Sequence, residues 1–274
     1  MADRIDTDPY RIAPGTSVRL ADRPTEVDGG LAEGAADAIL DANTDRSRDL
    51  QEALYAEGEQ ALLVVLQAMD AGGKDSTTEK VFGPLNPQGV RVSSFKKPTD
   101  LEARHDFLWR VHRKAPAHGM IRVFNRSHYE DVLIVCVHGW AEPDVIERRY
   151  DHIRQFEELL ADARTRVVKI MLHISKDYQL ERFRRRLRKP DKHWKFNPDD
   201  LKERERWDDY MRAFEIAIER TSTDAAPWFV VPAETRWFRD ALVSQILVDA
   251  LEELNPQYPA PEFDPADYPP DAIG

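Results

Sequence analysis

Short apolar runs alternate with longer amphipathic stretches between residues 44 and 255. This alternation constrains the fold more than any other feature, because it is typical of βαβ units that wrap helices around a parallel sheet. Strands are predicted over 61–69, 90–95, 120–125, 167–174 and 228–232. Helices are predicted over 44–57, 75–83, 99–113, 131–138, 142–160, 177–188, 198–221 and 234–253. The sequence thus predicts an α/β fold, and the Val, Ile and Leu content of the first and fourth strands indicates that both their faces are covered.

The two ends of the chain lack this pattern. Residues 1–43 mix Asp, Pro and Gly with few periodic apolar positions, which predicts an extended or partly ordered arm. Residues 256–274 are proline-rich and acidic, a composition typical of a tail on the surface. The predicted organisation is therefore one domain over 44–255, preceded by an arm and followed by a tail.

The 274 residues include 39 Lys and Arg against 50 Asp and Glu, a formal net charge of −11. Such a charge disfavours nucleic-acid binding through phosphate neutralisation, and no run approaches the roughly 18 apolar residues of a membrane span. The first twenty residues lack the apolar segment of a secretory signal, and Cys136 is the one cysteine. These features predict a cytoplasmic protein that binds neither nucleic acid nor membrane, with Cys136 buried in its apolar run.

The first predicted strand leads into the sequence MDAGGKDST over residues 69–77, and a helical pattern follows. A strand, a glycine turn and a helix start with a lysine are the setting in which backbone N–H groups bind phosphate. The sequence departs from a strict Walker A motif, because Ala68 replaces the first glycine and Asp75 replaces the usual Ser or Thr. A tight turn with a surface lysine is the alternative interpretation. The candidate phosphate-binding residues are Gly72, Gly73, Lys74, Asp75 and Ser76.

Two further groups of side chains follow other predicted strands. Asp70 lies at the carboxyl end of the first strand, where it is either a helix N-cap or a ligand of a divalent cation. The third strand ends in Asn125 and Arg126. Phosphate-loop enzymes commonly carry an acidic metal ligand at the end of such a strand. If a helix begins near residue 127, Glu130 and Asp131 lie on its first turn and could supply the missing carboxylate.

Positive charge concentrates in residues 181–195, which contain eight Lys or Arg and two acidic residues. On a helix, i, i+3 and i+4 spacing places four of them on one face, namely Arg182, Arg185, Arg186 and Lys189. A solvated helix face is the ordinary interpretation of such a run. In an acidic chain with a candidate phosphate loop, a basic face that binds a phosphate chain is the alternative that we favour.

Four motifs in order, AMDAGGKDST, NPQGVRVSSFKKPT, EARHDFLWRVHR and VFNRSHYEDVL, resemble the family-2 polyphosphate kinases, and NRSHYED is similar to the class III version. The resemblance covers about residues 44–255. It implies a thymidylate-kinase-like phosphate-loop fold, a three-layer sandwich with a five-stranded parallel sheet and a helical lid at about 176–200. It also implies Mg²⁺-dependent transfer, with Mn²⁺ as an alternative ion, from inorganic polyphosphate to AMP and ADP, forming ADP and ATP. Homo-oligomers, as dimers or tetramers, are expected.

The resemblance also implies roles for individual residues. Asp70 would position Mg²⁺ and the accepting phosphate, Lys74 and Arg126 would bind phosphate, and Asp131 would be the second carboxylate beside the metal. Asn125 and Glu130 match the segment NRSHYED, residues 125–131, which is called the second motif below. The four basic residues of the 181–195 segment match the lid. Two other functions stay open, namely an ATP-dependent nucleoside monophosphate kinase and a module that binds polyphosphate or nucleotide without turnover.

Overall fold

The computed structural model describes residues 4–268 and contains a six-stranded sheet. Its strands run in the spatial order β1-β6-β5-β2-β4-β3. Five of them are parallel and match the predicted strands, so the expected α/β architecture is confirmed. The strands are β1 (Arg11–Ile12), β2 (Ala61–Ala68), β3 (Val90–Ser94), β4 (Ile121–Asn125), β5 (Thr165–His173) and β6 (Trp228–Pro232).

The prediction of a five-stranded sheet is wrong by one strand. The additional strand, β1, pairs antiparallel with β6 at the edge of the sheet, with Arg11 opposite Phe229 and Ile12 opposite Trp228. Two residues are too few to produce a period-two pattern, so this strand has no signal in the sequence. It nevertheless fixes part of the predicted N-terminal arm onto the domain.

Nine α-helices are found in residues 4–268. They are α1 (Glu33–Glu57), α2 (Lys74–Thr77), α3 (Trp109–His112), α4 (Ile134–Val137), α5 (Pro143–Asp162), α6 (Lys176–Arg188), α7 (Asp199–Glu205), α8 (Trp207–Thr221) and α9 (Arg236–Leu254). Helix α1 begins eleven residues before the predicted start at 44, and the predicted helix 99–113 is mostly turns. A π-helical turn over Thr78–Phe82 continues α2.

Helices cover both faces of the sheet, which gives three layers. Along β5, Val168 and Ile170 pack against apolar residues of α9, and α9 in turn packs on α1. The side chain of Lys169 points to the other face, where it contacts Glu157 of α5 and the carbonyl oxygen of Thr221 of α8. The valine, isoleucine and leucine content of β5 is explained by this double cover.

Strand β2 lies between β4 and β5, so the chain turns to one side of β2 for β3 and β4 and to the other for β5 and β6. In open α/β sheets, the carboxyl ends of strands beside such a switch point form the ligand-binding crevice. The topology therefore brings together the residues that follow Ala68, Asn125 and His173. No helix within the described residues is long and apolar enough to cross a membrane.

Two differences concern the chain ends and the cysteine. Cys136 is exposed, and its predicted burial is wrong because α4 is a single surface turn. The predicted tail lies partly outside the described residues, which end at 268, so its residues 269–274 are not described. The described part of the tail follows α9 and contains a short 3₁₀ turn at Pro265–Asp267.

Candidate functional site

The phosphate loop, residues 70–76, joins β2 to α2 through a strained backbone. Ala71 has a φ of 64° and Gly73 has a φ of 103°, both in the left-handed region. A Cβ at Gly72 would lie 2.8 Å from the Cβ of Ala68 and 2.9 Å from the carbonyl oxygen of Met69, so a side chain does not fit there. Non-glycine residues with positive φ cost free energy and cluster at functional sites. Gly72 and Gly73 thus stand where the turn has no room for a side chain or adopts a positive φ.

Lys74 folds back across the end of β2. Its Nζ donates to the carbonyl oxygen of Ala68 at 2.7 Å and reaches that of Met69 at 3.4 Å. The side chain is 9% exposed. Burial, together with repulsion by the Arg126 guanidinium, lowers the pKa of Lys74 to about 8. The ammonium is therefore charged at neutral pH and titrates within the range of an ordinary assay.

We expect kcat/KM for a phosphate-chain substrate to fall as the pH rises through about 8, because Lys74 loses its proton there. The charged form exists below this pKa, and kcat/KM reports the pKa of the free enzyme. Initial rates between pH 6 and 10 measure the basic limb. Lys74→Arg keeps the charge throughout, so its basic limb should move to higher pH. A wild-type rate that stays constant up to pH 10 would contradict this role.

The second motif lies directly across from the loop. Arg126 Nη2 is 2.5 Å from Oδ1 of Asp70, and Asn125 Nδ2 donates to Oδ1 of Asp75 at 2.8 Å. Glu130 Oε2 lies 3.9 Å from Nη1 of Arg126. Burial raises the pKa of Glu130, against the opposing effect of Arg126 and Lys74. The structure therefore brings Asp70, Asn125, Arg126 and Glu130 together, as the sequence predicts.

Arg126 also has a positive φ, of 61°, and a buried network holds the turn that follows it. Ser127 accepts a hydrogen bond from the backbone N–H of Tyr129 at 3.1 Å and starts the 3₁₀ turn His128–Asp131. The hydroxyl of Tyr129 donates to Oε1 of Glu157 at 2.8 Å, and Glu157 Oε2 is 2.5 Å from Nζ of Lys169. The network ties the second motif to α5 and β5, so the core fixes where Arg126 projects.

The structure does not bring Asp131 to the phosphate loop, which corrects the expectation of a second carboxylate beside the metal. Its carboxylate lies between Arg110 and Arg149, 3.8 Å from a nitrogen of each. The reason is that adjacent side chains of a helical turn project about 100–120° apart, whether the turn is α or 3₁₀. The turn that directs Glu130 towards Arg126 therefore directs Asp131 elsewhere. Asp131 instead lines a separate cavity of about 750 Å³, with Arg110, Arg149 and Phe107 among its walls.

The basic segment faces the phosphate loop across a cavity of about 400 Å³. Arg182, Arg185 and Arg186 of α6 line it, as predicted, but Lys189 does not. Lys189 follows the last residue of α6, where its backbone is extended with φ −112° and ψ 109°, so it leaves the helix face on which the prediction placed it. The walls carry eight cationic and two acidic side chains, namely Lys74, Arg126, Arg182, Arg185, Arg186, Lys192, Lys195, Arg236, Asp70 and Asp75.

The sequence does not predict one acidic residue that lies near this cavity. Asp200, on α7, lies 3.5 Å from Nη1 of Arg186. Burial, with repulsion by the Asp70 carboxylate, raises the pKa of Asp200 to about 6. In the sequence, Asp199 and Asp200 are ordinary acidic residues in the first turn of a helix. Nothing in the sequence pattern indicates that α7 directs one of them towards the phosphate loop. The position of Asp200 therefore depends on tertiary packing alone.

The residues around the loop fit a magnesium ion that is shared with a phosphate ligand. Within residues 4–268, no group of three or more His, Cys, Asp or Glu side chains is arranged to hold a metal alone. Mg²⁺ usually keeps several waters and binds one or two carboxylates plus substrate phosphates. Asp70 lines the cavity and supplies such a carboxylate.

A parallel α/β sheet with a phosphate loop after its central strand, facing a basic helix across a cavity, places the chain among the phosphate-loop kinases. The model of the family described as Polyphosphate kinase 2 matches residues 33–259. This chain belongs to that family. Its match begins at the observed start of α1, which lies inside the segment that the sequence assigned to the arm.

Three similar proteins support this membership. The "AMP/ADP-polyphosphate phosphotransferase" of Meiothermus ruber is 51% identical over 256 residues, 92% of this chain and 96% of the relative. The "ADP-polyphosphate phosphotransferase" of Rhodopseudomonas palustris is 41% identical, over 93% of each chain. The crystal structure of Polyphosphate Kinase 2 from Arthrobacter aurescens TC1 superposes with a TM-score of 0.91 at 46% identity, covering 95% of this chain and 93% of that one.

Proposed function

We propose that this protein is a polyphosphate-dependent nucleotide kinase, which transfers phosphoryl groups from inorganic polyphosphate to AMP and ADP and forms ADP and ATP. The cavity carries the argument, because it concentrates eight cationic side chains against two acidic ones in a chain of net charge −11. A basic cleft in an acidic protein focuses a polyanion at one place. The name of the Meiothermus relative supports both acceptors, AMP and ADP, and that of the Rhodopseudomonas relative supports ADP.

In the proposed reaction, an oxygen of the nucleotide's terminal phosphate attacks the end phosphorus of polyphosphate. A new P–O bond forms, the bridging P–O bond breaks, and the polyphosphate leaves one unit shorter. An anionic phosphate oxygen needs no general base, so alignment and charge neutralisation carry the catalysis. Lys74, Arg126 and the arginines of α6 neutralise the transferring group. Mg²⁺, when bound at Asp70, would add charge neutralisation between the phosphates.

The donor distinguishes this function from the two alternatives. Purified protein is incubated with AMP and Mg²⁺ and with either polyphosphate or ATP, and AMP, ADP and ATP are followed over time. ADP and then ATP formed with polyphosphate alone support the proposal. Phosphorylation of AMP with ATP alone identifies a nucleoside monophosphate kinase. Polyphosphate binding without any product identifies a binding module, and either of these last two results overturns the proposal.

Arg185 and Arg184 provide a matched test of the basic face. Arg185 lines the cavity, whereas Arg184, its neighbour on α6, is exposed on another side of the helix. Arg185→Gln is expected to raise KM for polyphosphate by about tenfold, because one charge-assisted contact is lost. Arg184→Gln removes the same charge and should change KM by less than twofold. Equal effects of the two substitutions, measured at one salt concentration, would contradict a specific binding face.

We propose Mg²⁺ as the metal and a dimer or tetramer as the functional assembly. The oxygen chemistry of Asp70 beside a phosphate-binding cavity supports the metal. The assembly follows from the family resemblance alone, and light scattering of the purified protein measures it. A monomeric mass with full activity would contradict the assembly.

A further inference from the structure

A buried arginine lies directly behind the phosphate loop. Arg239, in the first turn of α9, is 2% exposed. Its Nε donates to Oδ1 of Asp240 at 2.8 Å, and its Nη2 donates to Oγ of Ser76 at 3.3 Å. Asp240 in turn accepts a hydrogen bond from Oγ1 of Thr77 at 3.3 Å. The guanidinium and its carboxylate partner therefore join α9 to Ser76 and Thr77, the last two residues of α2.

The same guanidinium occupies the place of a side chain at Gly73. A Cβ at Gly73 would overlap Nη1 of Arg239 and would lie 3.3 Å from its Cζ. The neighbouring Gly72 is restricted by other atoms, since its Cβ would meet Ala68 and the carbonyl oxygen of Met69. The two glycines of the motif thus serve different purposes. Gly72 allows the turn to close on itself, and Gly73 makes room for Arg239.

Arg239 supports the phosphate loop from behind, whereas contacts such as that of Arg126 with Asp70 hold its front. Ala71 and Gly73 both have positive φ. Helix α2 has only four residues, and the turn that continues it is π-helical and not α-helical. Strained backbone at a functional site persists only where the surroundings over-determine it. Arg239 supplies such surroundings with three contacts, to Gly73, to Ser76 and, through Asp240, to Thr77.

We propose that Arg239 is a positioning residue for phosphoryl transfer, which holds the phosphate loop in its phosphate-binding shape by filling the space that Gly73 leaves open. This inference rests on the proposed function, because it assigns Arg239 to the loop that binds the phosphate chain. The loop residue Ser76 transmits the effect, and Arg239 itself does not touch the substrate. Loss of the guanidinium should therefore weaken both polyphosphate binding and turnover. A lysine at position 239, which keeps the positive charge, should not restore them.

A double-mutant cycle between Gly73 and Arg239 tests this contact. Arg239→Lys keeps the charge and the Asp240 partner, but it removes the fork that reaches Gly73 and Ser76. Gly73→Ala should lower kcat/KM about tenfold less in the Lys background than in the wild type, because contacting residues couple in this range. The strain of an alanine at positive φ is present in both backgrounds and cancels. Gly72→Ala is the matched control, and its cost should be the same in both backgrounds.

Two further readouts keep the result decisive. Arg239→Lys alone should raise KM for polyphosphate and lower kcat while the thermal unfolding midpoint stays near that of the wild type. The affinity for tripolyphosphate, measured by calorimetry, reports on the phosphate loop without requiring turnover. An inactive wild type would therefore overturn the proposed function, but the coupling between Gly73 and Arg239 could still be measured from these affinities. Equal costs of Gly73→Ala in both backgrounds overturn the inference. The inference is also overturned if Arg239→Lys keeps the kinetic constants and the tripolyphosphate affinity of the wild type. This second result can be obtained even if Gly73→Ala does not fold.

Discussion

Asp70→Asn lowers the turnover number for ATP formation from ADP and polyphosphate by about 10²–10³-fold, the expected scale for one electrostatic group that acts on the transferring phosphate. The carboxylate lines the cavity and lies 2.5 Å from Nη2 of Arg126. An amide of the same shape cannot neutralise a divalent cation, and it also removes the close ion pair with Arg126, which keeps the longer contact to Glu130 at 3.9 Å. Both losses fall on groups that contact the phosphates in the proposed mechanism.

The fold should survive this substitution. The side chains of Asp70 and Arg126 are 27% and 38% exposed, so water and Glu130 still stabilise the guanidinium. Pairs that are open to solvent contribute little to stability. Circular dichroism and thermal unfolding verify the fold, and single-turnover rates verify the chemistry. Asp100→Asn, an exposed carboxylate in the loop after β3, is the matched control and should keep full activity. Near-wild-type ATP formation by Asp70→Asn would contradict the site assignment.

The sequence predicts the parallel strands closely. Four of them, β2, β4, β5 and β6, are short, mostly apolar runs that are largely buried in the sheet, whereas β3 is a more polar and exposed edge strand. Helix 99–113 is different, and the local contacts show why. Thr99 and Glu102 bond to each other's backbone N–H groups in a capping box, which is a helix-start signature in sequence. Here it closes only one 3₁₀ turn, Glu102–Arg104. Asp106 then accepts from the backbone N–H of Leu108 before α3 begins. The signal is correct for a turn, but the chain begins a new turn at Asp106 instead of continuing the helix.

The candidate site is predictable where its residues follow parallel strands. Asp70 and Arg126 are 56 residues apart in sequence, and the sheet alone brings them into contact. Glu130 and Asp131 are the opposite case, because the sequence does not indicate which of these two adjacent side chains faces the phosphate loop. Asp200 and Arg239 reach the site from α7 and α9 through tertiary packing. Their neighbours in sequence give no indication of it.

The buried pair of Lys169 and Glu157 is where a single substitution should cost the most stability. Lys169→Met is expected to lower the free energy of unfolding by about 3–5 kcal/mol, because it leaves a buried carboxylate without its cation. Both side chains are almost fully buried, 2.5 Å apart. Burial alone would raise the pKa of Glu157, but Lys169 and His128 outweigh it and hold that pKa below its ordinary value. The carboxylate is therefore ionised at neutral pH in the wild type. The methionine variant must either bury that charge without Lys169 or protonate Glu157, and both cost stability.

Urea unfolding, followed by circular dichroism, measures the loss. Lys202→Met is the matched control, because Lys202 pairs with Asp199 at 2.8 Å on the surface, and exposed pairs contribute at most about 1 kcal/mol. The double variant Lys169→Met with Glu157→Leu should recover much of the stability, since apolar replacement of a whole buried pair is often neutral. Its activity should nevertheless stay low, because Glu157 also accepts the hydrogen bond from Tyr129 that fixes the turn after Arg126. A stable and fully active double variant would show that the network is not needed to position Arg126.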